Sequence, residues 1–335
     1  MLSEFIQLVV PRRIRSLPFF AFAFTSVILF VLVLVWHRQD TAVYSPYVEQ
    51  TVEQTTSQPI NYFVSSLCNC DKESSAEEVS QDAFDWCGPE SSARGKHQKV
   101  ITYSLYGNAN STSIFKRYYS LLTNISLTAE KVYPGWIIRI YHNISESDEA
   151  YSQLCDVYCR SSNVDLCSLP DLMGRVNSTA SIIDAAHIGN LNPRMFRFLV
   201  MLDPNVDVFI SRDVDSLIWP REVDAVDEWL STNYTFHVMR DHKVQISIML
   251  AGTSQLGEIT NIMISVKISD DTGMWGAKIH LHRDTMEELI KALVMSGQNQ
   301  IKWQDQISLE SVVWPVAKND VVLYTIHLAD IISEK

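Results

Sequence analysis

Hydrophobic and polar positions divide the 335-residue chain into four regions. No charged residue interrupts the apolar run over 17–36. At about 20 residues, it is long enough to cross a bilayer core as a helix. Arg12, Arg13 and Arg15 precede it, while only Arg38 follows closely, next to Asp40. That bias predicts 1–16 as a cytosolic tail and 17–36 as a single-pass type II membrane anchor. A cleaved signal peptide is the rival reading, but the run is longer than a usual signal core and no small-x-small site follows it. Residues 37–98 are rich in Ser, Thr, Gln, Glu and Asp and show no sustained apolar period. They read as a stem, too polar to bury the apolar surface that would offset the entropy of ordering it.

From residue 99 onward the periods are those of folded elements. A strand is expected over 100–107, ending in a glycine, and then a helix over 114–127, where Phe115, Tyr118, Tyr119 and Leu122 recur at helical spacing. A strand over 136–141 follows the turn Pro134-Gly135, then a helix over 147–159 and a short strand over 163–166. An apolar run over 193–201 feeds a strand over 206–211, in which Val206, Val208 and Ile210 alternate with Asp207, Phe209 and Ser211. Pro220 suits the first turn of a helix that continues over 221–230. A strand over 234–239, a glycine loop over 273–278 and a helix over 284–296 come next, and Trp303-Gln304-Asp305-Gln306 precedes the apolar stretch 307–314. Alternating strand and helix imply right-handed crossovers, a largely parallel sheet and the α/β class.

Composition adjusts this picture in two ways. A hydrophobic fraction of 47% supports a sizeable core, and a net charge of −12 argues against nucleic acid as a partner. All six cysteines (Cys68, Cys70, Cys87, Cys155, Cys159 and Cys167) follow the apolar run, where an oxidising compartment makes disulfides the default. Their spacing is not that of a zinc site, and it leaves the connectivity open. Asn110, Asn124, Asn143, Asn177 and Asn233 each begin an Asn-x-Ser/Thr acceptor pattern. Both features point to a lumenal or extracellular body.

The candidate chemistry sits where the 206–211 strand ends. Arg212-Asp213-Val214-Asp215-Ser216 places two carboxylates one residue apart at the carboxyl end of a strand, where open α/β sheets bind ligands. A hard cation takes one or two such carboxylates together with substrate phosphate oxygens. The bland alternative is a turn or a helix cap. Arg212 reads either as a phosphate contact or as a salt-bridge partner of Glu222. Asp305 is a candidate general base or an ordinary carboxylate in the first turn of a helix. His242 and Lys278 are candidate sugar or phosphate contacts and equally candidate surface residues, and His237 reads as a hydrogen-bonded core histidine.

These residues, with Arg221-Glu222-Val223-Asp224-Ala225-Val226-Asp227-Glu228-Trp229-Leu230, Phe236-His237-Val238-Met239-Arg240-Asp241-His242, Gly273-Met274-Trp275-Gly276-Ala277-Lys278 and Trp303-Gln304-Asp305-Gln306, resemble the GT-A type nucleotide-diphospho-sugar transferases over most of 100–315. The resemblance implies a Rossmann-like GT-A domain over 99–335, with a mixed, mainly parallel sheet flanked by helices. It implies that Asp213 and Asp215 bind Mn²⁺ (or Mg²⁺), and that Arg212, Asp213, Asp215, Gly273, Gly276 and Lys278 contact a nucleotide-sugar donor. Asp305 is then the catalytic base toward a glycan or glycoprotein acceptor in the Golgi or endoplasmic reticulum. Residues 253–271 stand as an insertion relative to the family pattern, and His327 is the one late histidine able to stand for the family's. A transferase-derived binding or scaffold protein without turnover is the alternative expectation.

Overall fold

A computed structural model of the chain describes residues 61–64, 68–74, 86–107, 111–176, 183–240 and 274–325. The expected anchor over 17–36, the 253–271 segment, His242, Gly273 and His327 lie outside the described residues. Among the described residues, no helix is long and apolar enough to cross a membrane.

Two short strands, β1 (Asn61–Val64) and β2 (Asp71–Ser74), form an antiparallel pair. The main sheet contains β3 (Gln98–Leu105), β4 (Trp136–His142), β5 (Val164–Ser168), β6 (Val206–Ser211), β7 (Phe236–Arg240), β8 (Met274–Lys278) and β9 (Val321–Thr325). Its order is β5-β4-β3-β6-β8-β7-β9. Among the described strands of this sheet, only β8 runs antiparallel to its neighbours. The chain steps outward from β3 to β5 and then returns to place β6 on the other side of β3. This makes the β3/β6 boundary the point where strand order reverses and a crevice opens at the carboxyl ends.

Side-chain alternation along β3 shows how the layers form. Ile101, Tyr103 and Leu105 enter an apolar cluster with Leu122, Ile125 and Ala129 of the helix Leu122–Val132. On the opposite face Thr102 and Ser104 hydrogen-bond to the segment Pro193–Leu202, with Thr102 Oγ1 donating to the Arg197 carbonyl at 2.9 Å and Ser104 Oγ accepting from the Arg197 N–H at 2.9 Å. That segment, expected only to lead into β6, is a 3₁₀ helix. It packs Met195, Phe196 and Phe198 into the second core cluster, beside Phe209 and Trp275.

The expected helix over 114–127 is divided into Thr112–Arg117, a 3₁₀ turn Tyr119–Leu121 and Leu122–Val132. The stretch expected as a glycine loop is the buried strand β8. The glycine-rich pattern misleads because a strand wedged between β6 and β7 needs a residue without a side chain at one position. A Cβ on Gly276 would lie 2.9 Å from Ile210 Cγ2, and closer still to the Phe209 carbonyl oxygen.

Three disulfides join the upstream region to the sheet domain: Cys68–Cys155, Cys70–Cys159 and Cys87–Cys167. Cys155 and Cys159, one turn apart on the helix Glu149–Arg160, receive the two cysteines that flank Asn69. Trp86 and Cys87 are buried against the core upstream of residue 99.

Candidate functional site

Asp213 and Asp215 follow β6 in a turn closed by the Ser216 N–H donating to the Asp213 carbonyl at 3.1 Å. Neither caps a helix, since the next helix, Pro220–Ser231, begins after Trp219 without a side-chain cap. Val214 between them is 3% exposed. Its burial turns both carboxylates toward the open side, where they are about one-third exposed.

Two arginines from other elements meet these carboxylates. Arg197 forms an ion pair with Asp213 through Nη1, and the same nitrogen donates to the Arg212 carbonyl at 3.0 Å. Its other terminal nitrogen donates to Asp305 Oδ2 at 3.1 Å. Arg117, on the helix Thr112–Arg117, donates to Asp215 Oδ2 at 2.7 and 2.9 Å. Arg194 lies with its guanidinium 5.6 Å from the centre of the Tyr106 ring, just past the end of β3. In a 3₁₀ helix, residues three apart eclipse one another. The Pro193–Leu202 segment therefore presents Arg194 and Arg197 on one side, over the β3/β6 boundary. The crevice thus gathers Asp213, Asp215, Asp305, Arg117, Arg194, Arg197 and Tyr106.

Asp305 enters from the short helix Gln304–Ser308 and is 4% exposed. Oδ2 is held by Arg197 and by Gln306 Nε2 at 3.1 Å, while Oδ1 has no partner among the described residues. Burial raises the pKa of this carboxyl, and Arg197 opposes the rise. Burial also works against the charge on Arg197, but Asp213 and Asp305 outweigh it and hold the guanidinium above its usual pKa. The Tyr106 hydroxyl is pushed up to about 12 by burial, so it remains a donor at neutral pH.

Arg212 points away from the crevice. It is 1% exposed and ion-paired with Glu222, whose Oε1 also accepts from the Tyr133 hydroxyl at 3.1 Å. Lys278 lies at the far end of the sheet, paired in register with Val208 at the start of β6. Its Nζ donates to the carbonyls of Trp229 at 2.9 Å and Thr232 at 2.6 Å, at the end of the helix Pro220–Ser231. Gly276 sits mid-sheet opposite Ile210. The structure therefore brings together Asp213, Asp215 and Asp305, and leaves Arg212, Gly276 and Lys278 outside that group. His237 is a core residue, stacked on Trp229 with ring centres 5.2 Å apart, and among the described residues neither ring nitrogen has a hydrogen-bond partner.

Arg117, Arg194, Arg197 and Tyr106 were not among the sequence candidates. Two arginines three residues apart inside an otherwise apolar run, Pro193-Arg194-Met195-Phe196-Arg197-Phe198, were the available signal.

Carboxylate oxygens are the donor type that a hard divalent cation prefers. Among the described residues, no group of three or more His, Cys, Asp or Glu side chains is arranged to hold a metal. Asp213 and Asp215 supply such oxygen donors one residue apart, and each is also ion-paired with an arginine.

No protein-family model matches the chain, and no curated protein does. Among solved structures it is similar to 4-diphosphocytidyl-2C-methyl-D-erythritol synthase from Anaerococcus prevotii DSM 20548, at 12% identity and a TM-score of 0.35, over 71% of this chain and 96% of that one. It is also similar to a protein described as a nucleotide-diphospho-sugar transferase from Desulfovibrio desulfuricans G20, at 8% identity and a TM-score of 0.35, over 68% of this chain and 79% of that one. These are likenesses of chain path at low identity, and no residue role is taken from them.

Proposed function

We propose that the chain is a glycosyltransferase that moves a sugar from a nucleotide-sugar donor to a glycan or glycoprotein acceptor in the Golgi or endoplasmic reticulum, anchored through residues 17–36. The observation that carries the reading is the convergence of Asp213, Asp215 and Asp305 with Arg194 and Arg197 at the β3/β6 boundary. Supporting the lumenal placement are the three disulfides and the exposure of Asn124, Asn143 and Asn233, the acceptor-pattern asparagines among the described residues.

In this reading Asp213 and Asp215 hold Mn²⁺ or Mg²⁺. When bound, the cation neutralises charge on the departing diphosphate. Arg194, which has no carboxylate partner among the described residues, faces the same crevice and binds phosphate oxygens directly. Asp305 is the base toward the acceptor hydroxyl in this reading, and its buried Oδ1, without a partner among the described residues, takes the proton once an acceptor uncovers it. Arg197 fixes Oδ2 and keeps the carboxyl ionised, while burial raises its basicity.

The test is turnover of a panel of nucleotide-sugars with Mn²⁺ by the purified chain, repeated with Asp213→Ala plus Asp215→Ala. Loss of turnover in the double variant is expected, and unchanged turnover would overturn the assignment. One observation favours a second reading, a binding protein without turnover: both crevice carboxylates of the Asp-x-Asp pair are already matched by arginines. A donor-dependent rise in thermal stability without any product supports that reading instead.

A further inference from the structure

A groove of about 290 Å³ separates the helix Leu122–Val132 from the segment that enters the helix Pro220–Ser231, with Leu127, Thr128, Lys131, Ile218, Trp219 and Pro220 along its walls. Leu127 is 58% exposed and Trp219 42%, so two large apolar side chains border the groove in contact with water. Asn124 is exposed and lies on the same helical stripe, three and four residues before Leu127 and Thr128. Its Oδ1 accepts from the hydroxyl of Thr128, a residue of the groove wall, at 3.4 Å. Asn124-Ile125-Ser126 is an N-glycosylation acceptor pattern.

We propose that Asn124 carries an N-linked glycan whose first sugar ring occupies this groove and covers Leu127 and Trp219. In the attachment step, Asn124 Nδ2 attacks the anomeric carbon of a lipid-diphosphate-linked oligosaccharide. The new N–C bond replaces the C–O bond, the lipid diphosphate leaves with the electron pair, and the amide proton passes to a base of the attaching enzyme. No atom changes oxidation state.

A pyranose ring has a C–H face and a rim of hydroxyls. The C–H face packs on the negative face of the Trp219 indole and on Leu127. The hydroxyls reach Thr128 and Lys131. At about 290 Å³ the groove lies at the small end of the roughly 300–1,000 Å³ range of small-molecule pockets, room for one sugar ring. Covalent attachment supplies an effective concentration of order millimolar, enough for a weak contact to stay formed. The proposal rests on the lumenal placement given above and is independent of the transferase chemistry.

The full chain is to be produced in eukaryotic cells with an intact secretory pathway and analysed for mobility before and after peptide N-glycosidase treatment. Asn124→Gln is expected to lose one glycan increment, as are Asn143→Gln and Asn233→Gln. If the latter two lose an increment and Asn124→Gln does not, this proposal is overturned while the lumenal placement stands. If no variant loses an increment, this proposal is overturned, and the lumenal placement falls with it where peptide N-glycosidase also leaves the mobility of the unmutated chain unchanged. Occupancy of the groove is read from thermal midpoints. Protein trimmed to a single sugar should melt about 2–4 °C above Asn124→Gln, the shift for about 1 kcal/mol in a domain of this size. In a Trp219→Ala background, and separately in Leu127→Ser, that difference should vanish. A difference that persists in both backgrounds overturns the groove as the sugar's resting place.

Discussion

At the scale of single residues, Arg197 is the side chain that most determines the crevice. It is 5% exposed, and it neutralises both Asp213, at the surface, and Asp305, which is buried. Removing one partner of a buried pair leaves an uncompensated charge, which costs about 3–5 kcal/mol. Arg197→Ala is therefore expected to lose stability on that scale in urea unfolding, with Arg197→Lys recovering part of it. A loss below about 1 kcal/mol would show that Asp305 is wetter than its burial implies. The second single-residue prediction concerns Gly276. Its missing Cβ lets β8 approach the Phe209 carbonyl and Ile210. Gly276→Ala forces the β6/β8 pair apart and is expected to cost about 1–3 kcal/mol while leaving nucleotide-sugar affinity unchanged. A fall in affinity at full stability would return this glycine to the donor site that the family resemblance implies.

At the scale of elements, what the sequence could reveal depended on whether a residue's partner was local. β3, β4, β6 and the helix Pro220–Ser231 were legible because period and capping chemistry are local properties. β8 was not, because two glycines in six residues look like a loop until the strands on either side are known. The position of Asp213 and Asp215 was legible from the end of β6. Their arginine partners were not, since Arg117 and Arg197 come from elements 98 and 16 residues away. Lys278 shows the same limit from the other side: nothing local says that it reaches the last carbonyls of the helix Pro220–Ser231. A cation there satisfies carbonyls left without intrahelical partners and complements the helix dipole. Lys278→Met keeps the aliphatic stem and removes those bonds, so a loss of about 1–3 kcal/mol is expected with donor affinity retained. Isothermal titration with a nucleotide-sugar checks this. A tenfold loss of affinity at wild-type stability would place Lys278 at the donor after all.

At the scale of the whole molecule, one face of the sheet buries two neutral histidines, one in β4 and one in β7, and this gives folding a defined pH dependence. His142 ends β4, accepts the Ile144 N–H at 3.3 Å and faces the ring of Tyr151, with the Asp171 carboxylate favouring its charged form against the larger effect of burial. His237 in β7 lies between the rings of Trp229 and Tyr324. Burial lowers their pKa values to about 4 and about 3. An unfolded-chain histidine titrates near 6.5. Above that pH both states are neutral at these positions and stability does not depend on them. Below it the unfolded chain binds protons that the folded protein refuses, so stability falls as pH falls, at about 1.4 kcal/mol per pH unit for each histidine. The loss continues to about pH 4 for His142 and about pH 3 for His237. Denaturant midpoints measured at pH 7, 6 and 5 should decline accordingly. His237→Phe keeps an aromatic ring between Trp229 and Tyr324 and removes one titrating group. It is expected to match or exceed the wild type at pH 7 and to show about half the decline toward pH 5, because replacing unpaired polar atoms with an apolar group of similar shape is close to neutral or stabilising. An undiminished decline in that variant would mean that water reaches the His237 ring and that its charge is not excluded by the Trp229–Tyr324 stack.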